Sequence, residues 1–271
     1  MSKHYIATLL TDFGTADGYA AAMKGAILAV CPRAQLVDIS HDVPAHDILA
    51  AAMVLAQAAP SFPSGTLHVV VVDPGVGTER KILAARFGAQ TFLFPDNGVI
   101  TFISDSMPLE AIVSVRDPRY VTTGPVSMTF HGRDIFAPVA GHILNGLDIG
   151  KLGPKPDTYK TLDLPVPFQR EEGLFGQVIH VDRFGNLISN VSQRDVAQWR
   201  PQQAGLCITC GGRQVGPIQA TYAAVEPGQP VALINSMGLL EVGVNRGRAC
   251  DLLAAGVGAE IAVVESPSAA G

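Results

Sequence analysis

Residues 69–81 read VVVVDPGVGTERK, and this stretch decides which fold the rest of the chain can adopt. Four consecutive valines predict a strand that is buried on both faces, as the strands of parallel sheets are. The strand ends at Asp73-Pro74-Gly75, since proline donates no backbone hydrogen bond and glycine permits a tight turn. A carboxylate therefore stands at the carboxyl end of a central strand, the edge where open α/β sheets bind ligands.

Two interpretations of this carboxylate are open. Arg80 follows a loop that contains Gly75 and Gly77, and this loop could fold back and bring the guanidinium towards Asp73. Alternatively, Asp73 orders its own turn and Arg80 lies in solvent. The stretch by itself gives the two interpretations equal weight.

The composition is that of a folded, mildly acidic protein. Its 271 residues suit one large domain or two modest ones, and 48% hydrophobic against 16% charged residues allow a substantial core. The net charge of −5, without a run of Lys or Arg, argues against nucleic acid and anionic membranes as partners. No apolar run reaches the roughly 18 residues of a membrane span, and the start MSKHYIATLL lacks the apolar core of a signal peptide. We therefore expect a cytoplasmic protein.

The cysteines do not indicate a metal or redox centre. Cys207 and Cys210 form a lone CxxC, whereas a zinc site would need a second pair or histidines. A redox CxxC would open a helix, but the flanking residues here predict a strand and a hairpin. We interpret these cysteines, with Cys31 and Cys250, as largely buried free thiols in a reducing compartment.

The first half of the chain alternates strands and helices. The sequence predicts strands at residues 5–10, 35–40, 66–73, 82–87, 91–94 and 111–115, and helices at 18–31, 47–59 and 135–146. This order is typical of right-handed βαβ units and a mostly parallel sheet. Neither a GxGxxG after the first strand nor a GxxxxGK[ST] occurs, which argues against a dinucleotide or P-loop site.

Polar residues collect where these elements join. Asp12 and Asp17 lie in one loop between the first strand and the first helix, where Asp17 suits a helix N-cap and Asp12 has no such structural use. His131 lies in the predicted loop before the last helix of this half. A common sheet edge would bring it towards Asp73 and Arg80.

The second half predicts a different architecture. Pro165, Pro167 and the charged residues that follow them indicate a linker at residues 163–172 between an α/β domain (1–162) and an all-β domain (173–271). After this linker, short and partly alternating segments are separated by Gly, Asn and Pro, a pattern typical of a small sandwich or barrel.

Six motifs together resemble the S-adenosyl-L-methionine (SAM) hydrolases, or SAM hydroxide adenosyltransferases, which are relatives of the fluorinase and chlorinase. They are TDFGTADGYAAAMKG, VDPGVGTERK, PDNG, HGRDIFAP, DRFGN and NSMGLLEVGVNRG, in the family's order over nearly the whole chain. The resemblance implies an α/β domain followed by a small β-barrel-like domain. It also implies a homotrimer that binds SAM between one subunit's first domain and its neighbour's second, and hydrolyses it to adenosine and L-methionine.

The resemblance also assigns roles to residues. Asp73, Arg80 and His131 match the set that positions and activates the attacking water. SAM is the substrate, and neither a cofactor nor a metal is implied. The substrate-binding matches are Asp12 (ribose diol), Asp17 (methionine ammonium), Asn186 (adenine or ribose), Ser236 and Met237 (methionine carboxylate), Val244 and Arg246 (backbone at adenine), and Glu241 (a polar neighbour).

The chemistry supports these roles but leaves the proton acceptor open. A sulfonium leaving group needs no acid, whereas water needs in-line placement at about 3–3.5 Å from the carbon. Arg80 favours hydroxide character, and either Asp73 or His131 can accept a proton. Alternatively, Asp73 and Arg80 form a fixed pair that orients His131.

Three other functions compete with hydrolysis. A halogenase of this family carries a tyrosine in place of Asp73, whose carboxylate would repel halide. A non-catalytic protein would bind SAM or adenosine without turnover. A metal hydrolase would gather Asp12, Asp17, Asp73 and His131 around a cation, which Arg80 opposes. We interpret four other residues as structural, namely His41, His46, His68 and Trp199.

Overall fold

The computed structural model describes residues 5–200 and 205–265. The chain divides into two compact units, and the boundary along the sequence lies between Leu162 and Asp163. Two predictions extend beyond these ranges. Residues 1–4 of the start MSKHYIATLL lie outside the described residues, and so does residue 266, the last residue of the segment EIAVVES.

The first unit is built on one six-stranded sheet. Its strands are β1 (Ile6–Thr11), β2 (Gln35–Ser40), β3 (Leu67–Val71), β4 (Ile82–Phe87), β5 (Gln90–Pro95) and β6 (Leu109–Ser114), and its helices are α1 (Tyr19–Val30), α2 (Ile48–Ala58), α3 (Thr101–Ser106) and α4 (Ala137–Leu144). The strand order is β2-β1-β3-β5-β4-β6. Strands β2, β1, β3 and β5 pair in parallel, and β4 runs antiparallel to both its neighbours. The predicted mostly parallel sheet is confirmed.

Helices cover this sheet on both faces. Met23 and Ile27 of α1 pack with Val139 of α4 in one core cluster, while α2 and α3 contribute to the other. β3 is buried along its whole length, as the valine run predicts. Gly141 lets α1 and α4 approach closely, because a Cβ there would lie 2.6 Å from Cβ of Val30. The unit is therefore an α/β sandwich with β3 at its centre.

Two helix starts differ in how they are capped. Asp47 caps α2, since its side chain accepts a hydrogen bond of 2.8 Å from the backbone N–H of Ala50. In α1 the N-cap position is Gly18, without a side-chain cap. The interpretation of Asp17 as a helix N-cap is therefore wrong.

The segment around His131 also differs from its prediction. His131 does not lie in a loop, because its backbone is already helical (φ −59°, ψ −26°) and leads into a π-helix at Gly132–Phe136. α4 continues directly from this π-helix, so Pro138 stands within a continuous helix and donates no hydrogen bond there. The carbonyl oxygen of Asp134, four residues earlier, accepts instead from the backbone N–H of Thr122 at 2.9 Å. The helix α3 was not predicted from the sequence at all.

The second unit is a nearly closed, barrel-like sheet. Its strands are β7 (Phe168–Arg170), β8 (Gly173–Val181), β9 (Leu187–Ser192), β10 (Leu206–Cys210), β11 (Arg213–Gly216), β12 (Ile218–Gln219), β13 (Pro230–Ile234), β14 (Leu239–Val244) and β15 (Glu260–Glu265), and its helices are α5 (Gln193–Trp199) and α6 (Ala249–Leu253). The order is β11-β10-β15-β8-β9-β14-β13-β12, with β7 added to β8, and β11 contacts β13 so that the two ends approach. This confirms the barrel-like prediction. The two short helices and the strand within residues 163–172 were not predicted.

The thiols behave as the sequence predicts. Cys207 and Cys210 lie buried on β10, and neither forms a disulfide. Burial raises the pKa of the Cys210 thiol to about 11, which keeps it protonated at neutral pH. Within the described ranges, no helix is both long and apolar enough to cross a membrane.

Candidate active site

A nearly buried polar cluster of the first unit joins Asp73 to Arg80. Asp73 follows β3, and the next seven residues turn back on themselves through backbone bonds from Val76 to Asp73 and from Thr78 to Gly75 (both 3.1 Å). Arg80 Nε donates to both Asp73 oxygens at 3.0 and 2.8 Å, and Nη2 donates to Oδ2 at 2.5 Å. The two side chains are only 9% (Arg80) and 4% (Asp73) exposed. The structure therefore confirms the interpretation in which the loop brings Arg80 to Asp73, and Arg80 does not lie in solvent.

Gly77 allows the loop to close. Its φ is +78°, a conformation that L side chains rarely adopt. A Cβ at this position would also lie 2.4 Å from the carbonyl oxygen of Met128. A glycine is therefore required both by the backbone angle and by the close approach of the segment that leads to His131.

His131 completes the cluster from a distant part of the chain. Its Nδ1 lies 2.8 Å from Arg80 Nη2. Because a guanidinium only donates, Nδ1 must accept, so a neutral His131 carries its proton on Nε2. Burial lowers the pKa of His131 below its ordinary value, and the charge of Arg80 lowers it further, while Asp73 and Asp134 act in the opposite direction. His131 is therefore neutral at neutral pH.

Asp12 lies at the end of β1, as predicted, and is held by a strained neighbour. Its Oδ2 accepts a hydrogen bond of 2.9 Å from the backbone N–H of His46. His46 has a left-handed backbone with φ 66°, which is uncommon for a residue other than glycine. The imidazole Nδ1 of His46 is 3.8 Å from the same carboxylate oxygen. The structural interpretation of His46 thus missed its place beside a candidate site residue.

A cavity of about 540 Å³ brings these residues together. Its lining residues are Asp12, Phe13, Tyr19, Ala45, His46, Val71, Asp73, Val76, Ser127, Thr129, Phe130, His131, Gly132 and Arg133. Arg80 is not a lining residue and reaches the cavity through Asp73 and His131. Carboxylates and aromatic faces in one cavity suit a ligand that has hydroxyl groups and a cationic centre.

The aromatic wall was not predicted from the sequence. Phe13, Tyr19 and Phe130 contact one another with ring centroids 5.1–6.0 Å apart. The guanidinium of Arg133 lies 5.0 Å from the centre of the Phe130 ring, and its Nε donates to Asp134 at 2.6 Å. Phe13 and Tyr19 belong to the quoted motif TDFGTADGYAAAMKG, and Phe130 directly precedes HGRDIFAP, so these motifs were the signal that could have revealed the wall.

Asp17 does not join this cluster. It is exposed, precedes the N-cap residue of α1 and is not among the cavity lining. The two aspartates of this loop therefore have different surroundings, although their sequence positions suggested a shared site.

Two of the predicted residues of the second unit, Asn186 and Glu241, belong to one hydrogen-bond network. Asn186 Nδ2 donates to Asp182 Oδ2 at 2.9 Å and to Tyr222 Oη at 3.4 Å, and Tyr222 Oη donates to Glu241 Oε1. Burial raises the pKa of Glu241, although hydrogen bonds to it act in the opposite direction. Gly243 leaves room for this network, because a Cβ there would lie 2.7 Å from the Tyr222 ring. Tyr222 was missed by the sequence analysis.

The other predicted second-unit residues lie in two turns at the ends of β14. Ser236 is exposed and Met237 half-buried, in a turn where Asn235 Oδ1 accepts from the Met237 backbone N–H at 2.9 Å. Val244 ends β14, and exposed Arg246 follows it with φ 57°. Within residues 5–200 and 205–265, no group of three or more His, Cys, Asp or Glu side chains could hold a metal ion.

Known protein families match both halves of this chain. A family model described as the SAM hydroxide adenosyltransferase N-terminal domain matches residues 7–153, and the model of the corresponding C-terminal domain matches residues 176–262. A protein from Thermus thermophilus named (R)-S-adenosyl-L-methionine hydrolase is 38% identical over 90% of this chain and 93% of its own length. One of the same name from Salinispora tropica is 37% identical over 90% and 91%.

More distant and structural relatives agree with these matches. A fluorinase from Actinoplanes is 25% identical over 89% of this chain and 91% of its own. A solved structure of an uncharacterized conserved protein from Thermotoga maritima superimposes with a TM-score of 0.87, at 32% identity over 96% of this chain and 100% of that one. A conserved hypothetical protein from Thermus thermophilus gives 0.75, at 36% identity over 95% and 99%.

The contact between Arg80 and His131 predicts a measurable change in ionisation. We expect NMR titration to give His131 a pKa below 6.5, and a higher pKa in Arg80→Met, because Asp73 then acts on the ring without the opposing cation. His142 is the control, since burial alone lowers its pKa and the substitution should leave it unchanged. An equal pKa of His131 in both proteins would contradict the role assigned to the guanidinium.

Proposed function

The chain belongs to the SAM hydroxide adenosyltransferase family, and we propose that the cavity of its first unit binds SAM and directs water onto the ribose C5′. The reaction is the hydrolysis of SAM to adenosine and L-methionine, the activity for which the curated relatives are named. The observation that carries the proposal is the contact of Asp73, Arg80 and His131, two of which line the cavity.

The leaving group defines what this site must do. Methionine leaves as a neutral thioether, so the C–S bond breaks without an acid, while water forms the new C–O bond and loses one proton. The site therefore needs to hold a water molecule in line with the C–S bond and to receive its proton.

The geometry divides these tasks between the three residues. Arg80 holds Asp73 through three hydrogen bonds and also donates to His131 Nδ1, so the alternative of a fixed pair that orients the imidazole is the one we adopt. Neutral His131 then presents Nε2–H as a donor to the water oxygen. Asp73 Oδ1, which accepts only the Nε–H of Arg80 and keeps a second lone pair, receives the proton.

Asp12 is suited to the ribose diol. Its Oδ2 accepts one backbone N–H, and this carboxylate can still accept hydrogen bonds from vicinal hydroxyl groups. The assignments of Asp17, Asn186, Ser236, Met237, Glu241, Val244 and Arg246 to the rest of SAM are also proposals, supported by the match of both family models.

We further propose that the chain consists of an α/β unit (1–162) and a barrel-like unit (173–271), joined by a linker at 163–172. The two kinds of unit act together in a homotrimer. The enzyme works in the cytoplasm and without a metal ion. The trimer is what the resemblance to the family implies, and the division of the predicted substrate residues between the units fits a site to which two subunits contribute. Multi-angle light scattering at micromolar concentration is expected to give about three times the 28.4 kDa chain mass. A monomer that retains full activity would contradict the shared site.

Product analysis tests the function itself. We expect purified protein in chelator-containing buffer to convert SAM into equal amounts of adenosine and L-methionine, with or without chloride. Formation of 5′-chloro-5′-deoxyadenosine would instead identify a halogenase. Bound but unchanged SAM would identify a binding protein.

Substitutions of the water-site residues should affect the chemical step. We expect Asp73→Asn and His131→Ala to lower kcat by about 10²- to 10⁴-fold with little change in KM, because these groups act on water rather than on SAM. Asp96→Asn is the matched control, since Asp96 is buried but outside the cavity, and kcat should be retained. Full turnover by His131→Ala would remove that residue from the mechanism.

A further inference from the structure

A buried pair of side chains lies beneath the turn that carries Asp12. Thr11 and His41 are both almost fully buried, and Thr11 Oγ1 lies 2.8 Å from His41 Nδ1. The backbone N–H of Phe13 donates to the same Thr11 oxygen at 3.3 Å. The other ring nitrogen, Nε2, faces the carboxylate of Asp38 and so carries the ring proton, which makes Nδ1 the acceptor for the Thr11 hydroxyl.

The far side of the imidazole faces a charged pair. His41 Nε2 is 3.1 Å from Asp38 Oδ1, although not in the alignment of a standard hydrogen bond, so we treat the contact as electrostatic. Lys24 Nζ donates to the other Asp38 oxygen at 2.6 Å. Burial raises the pKa of Asp38, but the hydrogen bond from Lys24 and the nearby His41 imidazole outweigh it and lower the pKa overall. The ring is therefore held between a hydroxyl donor and a carboxylate.

The backbone of His41 holds the other end of the same turn. Its carbonyl oxygen accepts a hydrogen bond of 2.7 Å from the N–H of Gly14. His41 thus contacts the turn at Thr11 and at Gly14, on either side of Asp12 and Phe13, which both line the cavity. His41 itself does not line the cavity and cannot touch a ligand there.

We propose that His41 is a positioning residue for the substrate, which acts through Thr11 on the carboxylate of Asp12. This inference rests on the proposed function. Loss of the imidazole leaves the buried Thr11 hydroxyl without its acceptor, and the turn must move to satisfy it. A displaced Asp12 weakens SAM binding, whereas the water site at Asp73, Arg80 and His131, on other segments, keeps its geometry.

The fold supplies a matched control for this test. Thr8 Oγ1 lies 2.8 Å from His68 Nδ1, so β1 carries a second buried threonine–histidine pair at the same distance. Neither Thr8 nor His68 lines the cavity. Replacement of His68 removes the same chemistry from the core without touching the Asp12 turn.

The experiment compares His41→Leu, His41→Asn and His68→Leu by steady-state SAM hydrolysis and thermal unfolding. We expect His41→Leu to raise KM about tenfold with kcat within about twofold, as loss of one buried hydrogen bond allows. His41→Asn should restore KM, because its amide oxygen can accept from Thr11. His68→Leu should lower Tm and leave KM unchanged.

A double substitution shows whether the effect passes through Asp12. If it does, His41→Leu should raise KM no further in an Asp12→Ala background. Additive effects, or a His41→Leu protein with lowered Tm and unchanged KM, would overturn the inference. Should His41→Leu fail to fold, Thr11→Val against Thr8→Val makes the same comparison. Absence of turnover in the wild-type protein would overturn the proposed function and this inference together, whereas the other outcomes affect the inference alone.

Discussion

The ion pair between Asp73 and Arg80 is the interaction on which the site depends. Both side chains are nearly buried, and removal of one partner from such a pair leaves an uncompensated charge that destabilises a protein by about 3–5 kcal/mol. The pair also reaches beyond its own loop, since Arg80 Nη2 contacts both the carboxylate and His131 Nδ1. One buried guanidinium thus joins the loop that carries Gly77 to His131 and fixes the tautomer of that imidazole.

The sequence predicts the layers of this fold well because each layer leaves a local pattern. The valine run marks the central strand, and apolar segments that end at Pro32 and Pro60 mark α1 and α2. The resemblance to the family, carried by six motifs in order, is confirmed by two family models. The position of β4 between β5 and β6 has no such pattern, because strand order depends on pairing between distant segments.

The sequence does not predict the site correctly where contacts between distant residues determine which side chains line the cavity. Asp12 and Asp17 share one loop and one residue type, yet only Asp12 lines the cavity. His41 and His68 each lie with Nδ1 2.8 Å from the hydroxyl of a β1 threonine, and only the course of the backbone places one of them beneath the Asp12 turn. The helical conformation of His131 depends on a π-helix whose sequence, GRDIF, gives no periodic signal. Residue type and spacing alone do not separate these cases.

The pairing of Asp73 also resolves a conflict in the proposed chemistry. SAM carries a positive charge at sulfur that disappears as the C–S bond breaks, so an unpaired carboxylate beside the sulfonium would stabilise the ground state more than the transition state. Catalysis requires the opposite preference, yet the water still needs a nearby proton acceptor. Arg80 cancels the charge of Asp73 as seen by the sulfonium while leaving Asp73 Oδ1, which accepts only one of its hydrogen bonds, able to take a proton from water. A neutral His131 adds a donor without adding a cation that would repel the substrate. The three residues together thus form a site that is close to neutral overall and still strongly polar, which suits the conversion of a cationic substrate into neutral products.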